Sequence, residues 1–234
     1  MKTLRHGLLT LAILGVGCTA QGQVIIGWDF GTASANLSSD INVPVTNLTV
    51  SNVSSFTGQT LTNANSSGST GYSGASGTFN ASFAAVSGAF NGTTSSAFVF
   101  TLTPSAGYTV SISSITFGSR STASGPTALA IRTSSDNFAS NAYSTSVSAN
   151  STWGLVNSGA LTSITGTNLN PLTVRIYGSG GSSASAGNWR IDDLHVTLTV
   201  SAAAIPEPST YAAILGCAAL TGVLIRRRRL QSAA

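Results

Sequence analysis

Apolar residues recur at every second position through most of residues 23–203, and the three-to-four spacing of an amphipathic helix is nearly absent. A period of two places the apolar side chains on one face of a strand, so the body of the chain is predicted to be all-β. About nine strands follow from the pattern, at residues 24–30, 43–53, 97–103, 108–117, 128–132, 142–147, 153–156, 172–177 and 189–200.

In two of the predicted strands, the apolar positions switch from one parity to the other partway along the strand. In residues 108–117 the switch falls at Ser113-Ser114, and in residues 189–200 it falls at Asp192-Asp193. Because neighbouring side chains point to opposite faces, a switch indicates a β-bulge or a strand that changes sheets. We therefore predict a jelly-roll-like β-sandwich. The stretch 59–77, rich in Gly, Ser, Thr and Asn, is predicted to be a long surface loop.

The charge of the whole chain is misleading about its body. The formal net charge is +4, but residues 23–203 contain four arginines and five aspartates and neither Lys nor Glu. Such a body lacks the basic stripe of a nucleic-acid-binding protein. Both cysteines, Cys18 and Cys217, fall outside it, which excludes disulfides and thiol chemistry from the body.

The amino-terminal segment, residues 1–22, is predicted to be a secretory signal peptide. Lys2 and Arg5 form the positive start, and an apolar stretch over 8–16 is followed by small residues at which signal peptidase would cut. Cys18 leaves a lipoprotein alternative open, although Gly15 stands where lipidation sites usually have Leu.

The carboxyl-terminal segment, residues 204–234, is predicted to be a membrane anchor. Its apolar run 211–225 would be about 22 Å long as a helix, and Ser209-Thr210 extend it to 209–225. This length is marginal against a hydrocarbon core of about 30 Å. Arg226, Arg227, Arg228 and Arg229 follow, and such a cluster favours the cytoplasmic side. A buried core helix is the alternative.

The order Pro206-Glu207-Pro208, apolar helix and arginine cluster resembles the PEP-CTERM sorting signal. The resemblance implies an exosortase, a membrane-embedded protease that cuts near the motif, and an exopolysaccharide-producing Gram-negative host. Two prolines keep the segment extended, as a protease cleft requires. A proline-rich linker before a tail anchor is the alternative. The body has a diffuse likeness to a β-sandwich domain common in surface proteins with this anchor, at residues 117–120, 125–126, 132–138 and 188–193.

Few residues of the body could support catalysis. Asp192 and Asp193, with His195 two residues further on, are the candidates for a polysaccharide hydrolase, although no nucleophile-elbow motif accompanies them. The competing interpretation is that both aspartates are bulge residues paired with Arg190 or Arg175. Asp29 on the first strand, with Asp192 or Asp193 on the last, is a candidate Ca²⁺ site.

Trp153 borders a loop and is the candidate for contact with a sugar, whereas Trp28 and Trp189 fit the core. The sequence therefore predicts an exported surface or matrix protein with a non-catalytic structural, adhesive or weakly carbohydrate-binding sandwich, no cofactor, and exopolysaccharide as a partner. A secreted hydrolase that uses Asp192, Asp193 and His195 is the alternative.

Overall fold

A computed structural model describes residues 22–31, 37–38, 43–56, 59–203, 212, 215–221 and 225. Several sequence predictions lie outside the described residues. These are the signal peptide over residues 1–21 with Cys18, the sorting motif at 206–208 and the arginine cluster at 226–229.

The described body is an all-β sandwich of two antiparallel sheets. The strands are β1 (Val24–Trp28), β2 (Leu48–Val50), β3 (Ser54–Phe56), β4 (Leu61–Ala64), β5 (Asn80–Phe83), β6 (Ala97–Pro104), β7 (Tyr108–Ser121), β8 (Ala128–Thr133), β9 (Tyr143–Ser146), β10 (Trp153–Asn157), β11 (Thr165–Thr167), β12 (Leu172–Ser179) and β13 (Trp189–Ala202). Sheet A has the order β10-β7-β13-β5-β4, and in addition β1 pairs with β13 and β11 pairs with β7. Sheet B has the order β2-β6-β12-β8-β9, and in addition β3 pairs with β6.

The sandwich prediction is confirmed, but the expected number of strands is too low. The described residues contain thirteen strands, and those missing from the prediction have three or four residues each. One of them, β4, lies inside the predicted loop 59–77. Leu61 is its only large apolar residue, so no period of two marks the strand in the sequence, and pairing with β5 holds it in the sheet.

The core lies between the inner faces of the two sheets. Leu172, Val174 and Ile176 of β12 are fully buried there, and Trp28 and Trp189 have no exposed surface. Aromatic rings of the two sheets meet across the core, with centroids 4.8 Å apart for Trp28–Phe100, 4.5 Å for Phe83–Phe98 and 4.7 Å for Phe98–Trp189. The prediction that Trp28 and Trp189 are core residues is confirmed.

Both parity switches are bulges in the pairing of β7 with β13. One register shift lies between Asp192 and His195, and the other, between Thr197 and Leu198, leaves Ser113 of β7 without an opposite residue. Asp193 takes a left-handed backbone with φ of 47°. At this bulge the other neighbour of β13 changes from β5, opposite residues 189–191, to β1, opposite residues 194–198.

A second compact unit comprises Ala203–Ala234. Its described residues 212, 215–221 and 225 are helical. Across the described part of the chain, no helix combines the length and apolar character that crossing a membrane requires.

Candidate functional site

A cavity of about 460 Å³ opens between the two edge strands that face each other across the sandwich, β10 of sheet A and β9 of sheet B. The lining comes from β9, from β10 and from β7 behind them. It consists of Ser119, Ser121, Tyr143, Thr145, Ser146, Val147, Ser148, Thr152, Trp153, Gly154, Leu155, Val156 and Asn157. We call this cavity the β9–β10 cleft.

The lining of the cleft is neutral and rich in hydroxyl groups. Six of its thirteen residues are Ser or Thr, Tyr143 supplies a seventh hydroxyl, and none is Asp, Glu, His, Cys, Lys or Arg. Hydroxyls both donate and accept hydrogen bonds, so they match the hydroxyls of a sugar, whereas general acid–base catalysis requires titratable groups near neutral pH. The cleft has the chemistry to bind a neutral polar ligand.

Space in the cleft is kept open by a glycine. A Cβ built on Gly154 meets no atom within 4 Å, although the residue lies inside strand β10. Leu155 next to it is 49% exposed, so this edge of sheet A presents apolar surface beside the hydroxyls. A mixed surface of this kind suits a sugar ring, which has apolar faces and polar edges.

Trp153, the predicted ligand contact, lies among the lining residues and is half-buried. Its indole N–H donates to the Ser67 carbonyl oxygen at 3.3 Å, and its ring centroid lies 6.3 Å from that of Tyr72. The loop that precedes β5 therefore holds the indole in place. The other lining residues were not predicted, because the approach of β9 to β10 depends on pairings distant in sequence.

The Asp193 carboxylate anchors residues 65–79 onto sheet A. It accepts hydrogen bonds from the Ser69 hydroxyl at 3.3 Å, the Ser76 amide at 3.2 Å, the Ser76 hydroxyl and the Tyr72 hydroxyl. Tyr72 reaches it over Gly118 of β7, where a Cβ would overlap the phenol oxygen. Burial, with the Asp193 carboxylate second, raises the pKa of Tyr72. The predicted surface loop thus covers the bulge of β13.

Asp192 is fully buried beside this anchor. Its Oδ1 accepts the Asp193 amide at 2.9 Å, and its Oδ2 has no hydrogen-bond partner among the described residues. Burial, and secondly the charge of Asp193, raises the pKa of Asp192 to about 8. The side chain is therefore mostly protonated at neutral pH.

This pKa predicts that stability falls as the pH rises. The folded protein retains the Asp192 proton up to about pH 8, whereas the unfolded chain loses it near pH 3.8, so the folded state binds more protons between these values. The melting temperature should decrease across this window. Asp192→Asn, which imitates the neutral carboxyl, should remove that part of the decrease, as differential scanning calorimetry at several pH values would show.

The difference between the wild type and Asp192→Asn isolates this group from Asp136, whose lowered pKa acts in the opposite direction below its usual range. A wild-type melting temperature that rose through the window in Ca²⁺-free buffer would contradict the assignment. A second set of melting temperatures is measured with millimolar Ca²⁺. A cation bound at Asp192 would keep its carboxylate ionised and raise the melting temperature of the wild type but not that of Asp192→Asn.

The ion pairs predicted for the two aspartates are not formed. Arg190 donates to Asn80 Oδ1 and Ser66 Oγ, each at 3.0 Å, and Arg175 donates to the Tyr177 hydroxyl. Hydroxyl and amide donors take the place of arginine because residues 65–79 fold over the bulge. The bulge itself, the other half of that interpretation, is confirmed.

Asp192, Asp193 and His195 are the hydrolase candidates of the sequence. His195 lies opposite Gly27 of β1, and no hydrogen bond joins it to Asp192 or Asp193 in the described structure. Neither aspartate lines the β9–β10 cleft. Asp29 Oδ1 accepts the Gly31 amide at 2.7 Å, and no group of three or more His, Cys, Asp or Glu side chains in the described residues is placed to hold a metal ion. The Ca²⁺ site stays a prediction.

No family model matches the chain, and no curated protein matches it. The K1 cleaved adhesin domain of Lys-gingipain from Porphyromonas gingivalis W83 is similar at 12% identity and a TM-score of 0.41, over 74% of this chain and 97% of that chain. The K3 cleaved adhesin domain of the same protein is similar at 15% identity and a TM-score of 0.36, over 62% of this chain and 90% of that chain. Likenesses of this size define neither the family nor the activity of the chain.

Proposed function

We propose that this chain is an exported cell-surface or extracellular-matrix protein with a jelly-roll-like sandwich that binds polysaccharide without cleaving it. The β9–β10 cleft is the proposed binding site. The observation that carries the proposal is the composition of its lining, which offers six serine or threonine residues, the hydroxyl of Tyr143 and no carboxylate, histidine, lysine, arginine or thiol side chain.

A binding role accounts for this lining better than a catalytic one. Glycoside hydrolysis needs two carboxyl groups about 5 to 9.5 Å apart on either side of the scissile bond. Asp192 and Asp193, the candidates for these two carboxyl groups, are buried under residues 65–79, and the Asp193 carboxylate accepts hydrogen bonds from four donors. A substrate would have to displace that segment to reach them.

Binding is tested by native electrophoresis of the full chain through gels that contain neutral polysaccharides. Retardation by at least one polymer, reversed by oligosaccharides of the same polymer, is the expected result, because the cleft provides hydroxyl partners and half-exposed aromatic surface. Migration that no neutral polymer changes would contradict the proposal. A heat-unfolded sample separates binding at a folded site from sieving by the gel.

The export half of the proposal depends on the two ends of the chain. Residues 1–22 have the pattern of a signal peptide, and residues 204–234 combine Pro206-Glu207-Pro208, an apolar run and Arg226–Arg229. This order supports membrane anchoring, with the arginines on the cytoplasmic side, followed by cleavage by an exosortase-type protease and release to the surface of a Gram-negative cell.

Alanine substitution of Pro206, Glu207 and Pro208 should trap the protein before release. Without the two prolines the segment loses its fixed extended backbone, which the protease cleft needs. We expect the full-length tail in the membrane fraction, detected with an antibody against the carboxyl terminus. The matched control replaces Ser209 and Thr210 by alanine and should be released normally. Unchanged release of the Pro-Glu-Pro variant would refute the sorting role.

A further inference from the structure

The outer face of sheet B carries two arginines side by side. Arg132 of β8 and Arg175 of β12 are directly opposite each other in the antiparallel register. Residues paired in this way have Cα atoms about 5 Å apart, and two like charges at that separation repel. These are two of the four arginines of the whole body, so their placement calls for a compensating anion.

Neither guanidinium has that anion within the described protein. Arg132 donates from Nε to Asn141 Oδ1 at 2.7 Å and from Nη1 to the Phe138 carbonyl oxygen at 2.9 Å. Arg175 donates from Nη1 to the Tyr177 hydroxyl at 3.3 Å. All three acceptors are neutral. Asp136, the acidic residue of the adjoining turn, bonds instead to the amide and hydroxyl of Ser140.

Aromatic rings hold both guanidinium groups in fixed positions. Arg175 lies between Phe56 and Phe138, with its Cζ 3.8 Å and 3.7 Å from the two ring centroids. Arg132 lies over Phe90 at 4.6 Å. All five side chains are half-buried. A guanidinium stacked in this way keeps its N–H donors directed along its plane at little further entropic cost, which is how arginine recognises planar anions.

We infer that this arginine face, comprising Arg132, Arg175, Phe56, Phe90 and Phe138, binds the carboxylate groups of acidic polysaccharides. A carboxylate matches the paired donors of a guanidinium. The flanking rings offer apolar surface to the C–H faces of a sugar, and Thr101 and Thr173, whose hydroxyls lie 3.0 Å apart on the same face, offer polar contacts. The face is separate from the β9–β10 cleft, and the inference holds whether or not that cleft binds a glycan.

Charge favours a polysaccharide over other anionic partners. A membrane surface or a nucleic acid is bound by many cations, and this face has two, with no lysine anywhere in the body. Two fixed guanidinium groups between aromatic rings suit a polymer with one carboxylate per sugar, where avidity along the chain adds to weak single contacts.

The test compares the affinity of the full chain for polygalacturonate, for neutral dextran and for dextran sulfate at low and moderate ionic strength. We expect binding to polygalacturonate that weakens with added salt and that the Arg132→Gln/Arg175→Gln variant loses by about tenfold or more, equal to 1.4 kcal/mol. Arg120→Gln removes a charge from sheet A instead of sheet B and is the control for loss of an arginine elsewhere on the body; it should bind as the wild type does.

Asn141→Asp is the control for a loss of polygalacturonate binding that is caused by unfolding. It places a carboxylate where the Asn141 amide already accepts from Arg132, so it should weaken polygalacturonate binding while leaving the melting temperature equal or higher. Wild-type affinity in the double glutamine variant, no binding by the wild type, or an equal loss in Arg120→Gln would each overturn the inference. Dextran sulfate bound more tightly than polygalacturonate would replace the carboxylate by a sulfate as the recognised group and overturn the stated ligand class.

Discussion

Asp193→Ala should lower the free energy of unfolding by about 3 kcal/mol, because four hydrogen-bond donors lose a charged acceptor in a buried place. Asp193 is 4% exposed, so water cannot replace the carboxylate without opening the segment above it. Removing Asp193 also removes its repulsion of Asp192, but this offsets little of the lost free energy of unfolding, because the Asp192 side chain is mostly protonated at neutral pH. Urea denaturation followed by tryptophan fluorescence measures the change.

The same substitution should expose residues 65–79 to proteolysis. Tyr72 loses the acceptor that holds its hydroxyl over Gly118, so chymotrypsin should cut after Tyr72 in the variant and not in the wild type. Asp136→Ala is the control. Its carboxylate also bonds to a neighbouring serine, but it is exposed, and its loss should cost under about 1 kcal/mol. Equal effects of the two substitutions would show that Asp193 is not an anchor.

Gly154→Leu should weaken the binding of neutral polysaccharide while preserving the fold. The built Cβ meets nothing within 4 Å, so the new side chain enters the β9–β10 cleft without a clash and fills part of its 460 Å³. Loss of the hydroxyl contacts behind it should weaken binding by about tenfold or more, measured by affinity electrophoresis.

Ser144→Leu is the matched control for Gly154→Leu. Ser144 is an exposed residue of β9 that is absent from the cleft lining, and it lies opposite Ala130 of the outer face of sheet B. This variant adds the same apolar group to the neighbouring edge strand and should bind as the wild type does. If Gly154→Leu retained wild-type affinity, the glycan site would have to lie elsewhere on the sandwich.

The parts of the fold that follow from local periodicity could be predicted from the sequence. Alternation located nine of the thirteen strands among the described residues, and the two parity switches located both bulges of the β7–β13 pair. The full burial of Trp28 and Trp189 followed from the same pattern. Each of these inferences needs only that neighbouring side chains in a strand point to opposite faces.

The site depended on contacts that periodicity does not contain. The cleft exists because β9 and β10, at the edges of different sheets, face each other, and neither strand pairs with the other. Tyr72 was visible in the sequence as a lone aromatic residue in a polar stretch, but its contact with Asp193 spans 121 positions. The expected pairing of the aspartates with Arg190 or Arg175 was wrong for the same reason.

One assay tests whether the sandwich binds polysaccharide and leaves it intact. The full chain is incubated with a polymer that retards it, and bound protein and new reducing ends are measured in the same sample. We expect bound protein and a polymer of unchanged length. New reducing ends that disappear with Asp192→Asn or His195→Asn would contradict it and identify a hydrolase.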